Sequence, residues 1–212
     1  ITKANPSVEV TKIDLAAMAA DGSLKPTTAN RAMGKFALFA GAEAEDKLEG
    51  LIAEEWEYNK QLIAQFKEAD VYVLGVSMWN FSMNYTMKLY FDHIIQPWKT
   101  FDPTTYQGLL DKGKAAYVVA ASGGGLLGAP GMDFVTPMMK QLLGFVGVEH
   151  VRFVHVNGTS DQSKVRDLLA AKSEEAAKLV ADSPTAPDAL AAAEPAEEAA
   201  VPTEEAAAPA AE

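Results

Sequence analysis

Two stretches of this chain hold residue types that do chemistry where ordinary loops do not. In Ser77-Met78-Trp79-Asn80-Phe81-Ser82-Met83-Asn84-Tyr85, methionine and aromatic side chains surround two asparagines where a turn is ordinarily polar. Such rings either offer their faces to a flat ligand or pack over the end of a sheet, and both readings stand on position alone. In Ser122-Gly123-Gly124-Gly125-Leu126-Leu127-Gly128-Ala129-Pro130-Gly131, backbone N–H groups are bared without side-chain obstruction, which suits the oxygens of a heterocycle or a phosphate. The second stretch is neither a Gly-x-x-x-x-Gly-Lys phosphate loop nor a Gly-x-Gly-x-x-Gly dinucleotide fingerprint, so by itself a flexible connection is the default.

The elements that must position these turns follow from hydrophobic periodicity. Val71 to Ser77 and Lys114 to Ala121 are short, nearly continuous apolar runs, as expected of parallel strands covered on both faces. A helix from about Asn84 to Ile95, ended by Pro97, follows the first, and another from about Asp133 to Gly147 follows the second. A last strand near Val151 to Val156 and a helix near Asp161 to Ala181 complete an α/β pattern of a doubly wound parallel sheet in three layers, α/β/α. Upstream, Val8 to Leu15 alternates apolar and polar residues and predicts a strand, and helices are predicted from about Thr27 to Phe39 and Ala44 to Lys67. In open parallel sheets ligands bind beyond the carboxyl ends of the strands, which is where both unusual turns fall. Together they make two walls of a slot for a planar ring system such as a flavin.

Composition removes several alternatives. The formal net charge is −11, but Asp182, Asp188, Glu194, Glu197, Glu198, Glu204, Glu205 and Glu212 lie in a terminal stretch without Lys or Arg. Residues 1–181 then carry 18 basic against 21 acidic side chains and no basic run, so nucleic acid is not an expected partner. The absence of Cys excludes disulfides and a cysteine nucleophile; His93, His150 and His155 lack metal-ligand spacing, and no metal site is expected. No apolar run approaches the roughly 18 residues needed to span a bilayer, so no membrane contact is expected. Ser77 lacks the second glycine of a hydrolase elbow, and the pairs Glu54-Glu55 and Glu174-Glu175 diverge around their helices as solvated surface. Domain 1–181 is expected to fold as one unit, and residues 182–212, dominated by Ala, Glu and Pro, to be disordered.

The residues of the two turns and their neighbours resemble the FMN-dependent NADH-azoreductases, relatives of the NAD(P)H:quinone oxidoreductases, over roughly Val8 to Gly158. Four blocks carry the resemblance: Met78-Trp79-Asn80-Phe81; Leu89-Tyr90-Phe91-Asp92; Ser122-Gly123-Gly124-Gly125; and Val135-Thr136-Pro137 followed by Leu143-Gly144-Phe145-Val146-Gly147. The resemblance implies a flavodoxin-like fold and a cytoplasmic homodimer. FMN would be held by Met78, Trp79, Asn80, Phe81, Ser122, Gly123, Gly124 and Gly125. NADH or NADPH would give hydride to flavin N5 and leave, after which a quinone or azo compound takes the electrons at the same place. The cofactor carries that chemistry, so no catalytic side chain is implied. It also implies that Phe101, within Trp98 to Tyr106, reaches a substrate at the flavin of the other subunit.

Two departures qualify the resemblance. Gly123 and Leu127 stand where the family commonly has Arg and His. The family also opens with a strand and a Ser-rich loop that binds the FMN phosphate at a helix N-terminus, and nothing here matches it. The chain opens Ile1-Thr2-Lys3 without an initiator Met, as a processed chain or a fragment does. Because the missing strand would lie between those near Val8 and Val71, a truncated or incompletely recorded sequence is expected. An FMN-holding electron carrier without its own organic substrate, and an inactive fragment, are the rival readings.

Overall fold

The computed structural model describes residues 8–181. In chain order its elements are α1 (Leu15–Ala20), α2 (Ala29–Leu38), α3 (Gly50–Glu68), β1 (Val71–Trp79), β2 (Ser82–Met83), α4 (Tyr85–Ile94), β3 (Ala115–Ser122), α5 (Val135–Val146), β4 (His150–Asn157) and α6 (Val165–Ala181). The sheet order is β2-β1-β3-β4. β1, β3 and β4 run parallel, with Ser77 opposite Ala121 and Ser122 opposite Asn157, while β2 folds back antiparallel onto the end of β1.

Each strand alternates between a face that is sealed and one that is not, because successive side chains point to opposite sides. Tyr72, Val76, Ala116, Val118 and Ala120 point into a core closed by Leu62, Ile63 and Phe66 of α3, four residues of α4 and four of α5. Phe66 stacks on Tyr72 with ring centroids 4.3 Å apart. Phe91, Ile94, Val135, Met139, Leu143 and Val146 are wholly enclosed there, each contributing roughly 1.5–3 kcal/mol relative to exposure. On the other face α6 packs along β4, where Val154 and Val156 are buried, whereas Val73 of β1 is 60% exposed. Helices therefore lie on both faces, the second covering β4 rather than β1. Among the described residues the remaining edge of β1, before Met78, pairs with no strand.

The strand predicted for Val8 to Leu15 does not form. Residues 8–14 are irregular and α1 begins at Leu15. The alternation is real, but Asp14 intervenes: its carboxylate accepts from the amides of Ala16 at 3.1 Å and Ala17 at 3.0 Å and caps a helix there. Ile13 and Leu15 reach the core from this loop and helix without a neighbouring strand. The helix predicted for Ala44 to Lys67 is likewise divided. A short 3-10 segment, Ala42–Lys47, is separated from α3 by Leu48 in an extended conformation, while Glu45 accepts from the indole of Trp56 at 2.8 Å and pairs with Lys99. The expected disorder of residues 182–212 falls outside the described residues. No helix among those described is long and apolar enough to cross a membrane.

Backbone crosses backbone closely at one point. The C-terminus of α5 closes on Gly147 at φ +103, and Leu110 donates to the Val146 carbonyl at 3.1 Å. A Cβ on Gly108 would lie 2.2 Å from the Gly147 nitrogen, so only glycine fits. Gly108→Ala is expected to destabilise the fold by about 1–3 kcal/mol through this clash. Gly144→Ala, whose added methyl meets nothing within 4 Å in a helix interior, is expected to stabilise by about 0.5–1 kcal/mol. Chemical denaturation of both variants checks the contrast.

His93 on α4 is enclosed, with Nε2 2.7 Å from the Lys25 carbonyl and the Tyr58 ring edge-on at 5.2 Å. Burial, the largest influence, pushes its pKa below the ordinary 6.5, with Arg31 adding to this and the Lys25 carbonyl and Asp92 opposing it. The unfolded chain therefore takes up the proton first as pH falls, and the stability that neutral His93 contributes is present above 6.5 and lost on acidification. Urea unfolding between about pH 5 and about pH 8 should show this decline, and His93→Gln should flatten it.

Candidate functional site

β1 runs two residues beyond its pairing with β3 and turns back into β2, with Trp79 opposite Ser82 and only Asn80 and Phe81 between them. Both turn residues have positive φ, 46° for Asn80 and 73° for Phe81, the two-residue hairpin whose twist matches the strands it joins. Asn tolerates that conformation, but for Phe it is a strained one, of the kind that collects at functional sites. The turn presents its rings outward: Trp79 is 67% exposed and Phe81 45%. The Trp79 indole donates to Ser77 Oγ at 3.1 Å, and Met78 is half-buried behind it. Just beyond, Asn84 Nδ2 donates to Thr86 Oγ1 at 3.0 Å, while Asn84 Oδ1 is buried without a partner.

The glycine turn lies alongside, at the end of β3. Ser122 is buried and its carbonyl accepts from the amides of Gly158 at 3.0 Å and Thr159 at 3.1 Å. The Gly123 carbonyl accepts from the Ser160 hydroxyl at 2.7 Å, and that of Gly124 from the Gly158 amide at 2.8 Å. Asn157 clamps the next residue, accepting from the Leu127 amide at 3.1 Å and donating to its carbonyl at 3.0 Å. The carbonyls of Ser122, Gly123, Gly124 and Leu127 are thus engaged from behind. Among the described residues, the amides of Asn80, Phe81, Gly123, Gly124 and Gly125 donate no hydrogen bond.

One hydrogen bond ties the aromatic turn to the start of α5: the Phe134 amide donates to the Phe81 carbonyl at 2.9 Å. Next to it Asp133 starts α5 and holds the glycine turn. Its carboxylate accepts from the amides of Val135 and Thr136, each at 2.9 Å, and of Gly128 at 2.8 Å, and from the Thr136 hydroxyl at 2.5 Å. Burial raises the pKa of Asp133, but these hydrogen bonds outweigh it and hold the carboxyl below its ordinary 3.8. Because the Thr136 proton goes to Asp133, the hydroxyl is left as acceptor for His155 Nε2 at 2.9 Å.

The structure therefore brings together Met78, Trp79, Asn80 and Phe81 with Ser122, Gly123, Gly124 and Gly125 at one end of the sheet. It separates Phe101 from them. That ring is 4% exposed and packs on Phe145 with centroids 4.7 Å apart, so its side chain serves the core of its own chain. Tyr106, at 65% exposure, is the ring that this segment presents. Phe134, Asp133 and the loop from Asn157 to Ser160 went unnoticed in the sequence. The polar run Asn157-Gly158-Thr159-Ser160-Asp161 after β4 was the available signal, since it is the third carboxyl-end turn of the sheet. Chemically, the site offers unengaged donors and apolar ring faces. Among the described residues no cluster of His, Asp and Glu suits a metal ion.

Known proteins agree with this architecture. Residues 1–180 match the sequence profile of the family described as having a flavodoxin-like fold. An FMN-dependent NADH:quinone oxidoreductase of Desulfotalea psychrophila is 37% identical over 124 residues, 56% of this chain and 58% of that one. Another of that name, from Hydrogenovibrio crunogenus, is 45% identical over 100 residues, 45% of this chain and 49% of that one. The chain spans about half the length of the curated relatives it matches. Among solved structures, an azoreductase from Bacillus anthracis superposes with a TM-score of 0.68 at 23% identity, covering 84% of each chain. An FMN-dependent NADH-azoreductase from the same organism, in complex with FMN, superposes with a TM-score of 0.61 at 24% identity, covering 79% of each. Parallel strands, the profile match and these superpositions converge, and the chain belongs to the family of the flavodoxin-like fold.

Proposed function

We propose that this chain is the ring-binding part of an FMN-dependent oxidoreductase that carries electrons from NADH or NADPH to quinones or aromatic azo compounds. The observation that carries the reading is the pairing of unengaged amides on two adjoining turns with exposed aromatic rings on one of them. A flavin ring needs both: hydrogen-bond donors along its polar edge and apolar surface against its faces. The names of the relatives from Desulfotalea psychrophila and Hydrogenovibrio crunogenus support the same reading.

In this proposal Trp79 and Phe81 flank the ring, Met78 backs it, and the amides of Asn80 and Phe81 meet its central edge. The amides of Gly123, Gly124 and Gly125 meet its pyrimidine edge, with Ser122 fixing where that turn begins. When bound, FMN supplies the hydride-accepting and electron-donating chemistry. The glycine amides stabilise negative charge placed on the pyrimidine edge, as fixed donors do at any site where charge develops. With Gly123 where relatives commonly carry Arg, backbone dipoles replace a full positive charge in that role. Homodimer assembly fits the exposed Tyr85 and Tyr106, and a cytoplasmic setting fits a demand for reduced pyridine nucleotide.

Titrating the purified chain with FMN should shift and quench the flavin bands, and the mixture should consume NADH when a benzoquinone or an azo dye is supplied. A chain that leaves the flavin spectrum unchanged overturns the proposal; flavin binding without NADH consumption replaces it with an electron carrier. Phe81→Gly separates site from scaffold. Glycine removes the cost of positive φ, so the melting temperature should hold or rise, while loss of a ring face should weaken FMN by roughly tenfold, about 1.4 kcal/mol. Unchanged affinity would remove Phe81 from the site.

A further inference from the structure

At the opposite end of the sheet, where β3 and β4 begin, a cavity of about 480 Å³ opens between the C-terminal turns of α5, the segment before β3 and the start of β4. Its volume falls within the range of small-molecule sites. Lys112, Lys140 and Arg152 border it, together with Glu149 and the amide side chain of Gln107. Glu149 is already matched, lying 2.7 Å from Lys112. Among the described residues Lys140 and Arg152 pair with no carboxylate. The lining therefore keeps two positive charges unmatched by a carboxylate.

Three glycines, Gly108, Gly144 and Gly147, border the cavity, and Gly108 packs backbone to backbone on Gly147. Gly144 borders the cavity one helical turn after Lys140, and a Cβ added to it meets nothing within 4 Å. The side of α5 that faces the space thus carries a cation and then no side chain at all. The carbonyls of Leu143, Gly144 and Val146 at this helix end are occupied by the amides of Val148, Gly147 and Leu110, so they do not compete for the lysine and arginine.

We infer that this cavity binds a small phosphate-bearing anion of up to nucleotide size, held by Lys140 and Arg152 with Lys112 and Gln107 at the rim. Arginine offers paired donors to phosphate oxygens, lysine a mobile point charge, and a carboxylate already neutralised by Lys112 does not repel the ligand. The site lies at the amino ends of β3 and β4, whereas the aromatic and glycine turns lie at carboxyl ends, so its occupancy does not depend on the flavin reading. A free inorganic phosphate and an organic phosphate ester share the same recognition, and the experiment distinguishes them.

The test is a two-dimensional amide NMR titration of the full chain with sodium pyrophosphate, then with adenosine monophosphate, at low salt. Saturable shifts confined to Gly108, Lys140, Gly144, Gly147 and Arg152 are expected, with the nucleotide also moving Gln107 if the organic part occupies the cavity. Two variants attack the site by independent means. The double change Lys140→Gln with Arg152→Gln removes charge from exposed positions, and Gly144→Leu fills space that is empty without touching charge. Each should weaken binding by roughly tenfold or more, with the melting temperature unchanged or, for Gly144→Leu, raised. Shifts spread evenly over the surface without saturation, or binding that survives both variants, would overturn the inference. Riboflavin, which carries the flavin ring without a phosphate, should titrate all these samples alike, which separates failure here from failure of the proposed flavin site.

Discussion

The parallel register of β1 on β3 is the constraint on which the remainder rests. With Ser77 opposite Ala121, the aromatic hairpin and the glycine turn leave the sheet side by side. A shift of one residue would send Tyr72 and Val76 to the face now occupied by Val71 and Val73, because side chains alternate along a strand. The core residues on α3, α4 and α5 would then have no counterpart. Burial of the core and alignment of the two turns are therefore one fact viewed from two ends of the strands. This is why a site made chiefly of backbone atoms can be well defined: its geometry comes from strand pairing and not from rotamers.

Much of this was legible in the residues. The nearly continuous apolar runs that became β1 and β3 announce parallel strands covered on both faces. Thr28 sits where a helix cap belongs and accepts the Arg31 amide. The glycine turn was visible because its composition is unusual. What stayed hidden depended on contacts distant in sequence. Val8 to Leu15 has the period of a strand, yet strand formation needs a partner, whereas the cap at Asp14 needs only its own neighbours. Only the resemblance pointed to Phe101 as a substrate contact, and no local signal shows that Phe145, on α5, covers its ring.

The two proposed binding surfaces, at opposite ends of the sheet, use glycine differently. At the carboxyl end, Gly123, Gly124 and Gly125 expose donors, while the carbonyls of Gly123 and Gly124 are held by Ser160 and Gly158. At the amino end, Gly108 and Gly147 press backbone against backbone and Gly144 leaves a space unfilled. Dipoles define the first surface. Whole charges define the second, set around a void.

The hydrogen bond from the Phe134 amide to the Phe81 carbonyl reaches further than its single strength implies. It ties the aromatic wall to the start of α5, and through Asp133 and Gly128 to the glycine wall. The separation of the walls is then not an independent degree of freedom. In the proposed flavin site a planar ring would therefore meet two walls held together by the fold itself and not by the ligand.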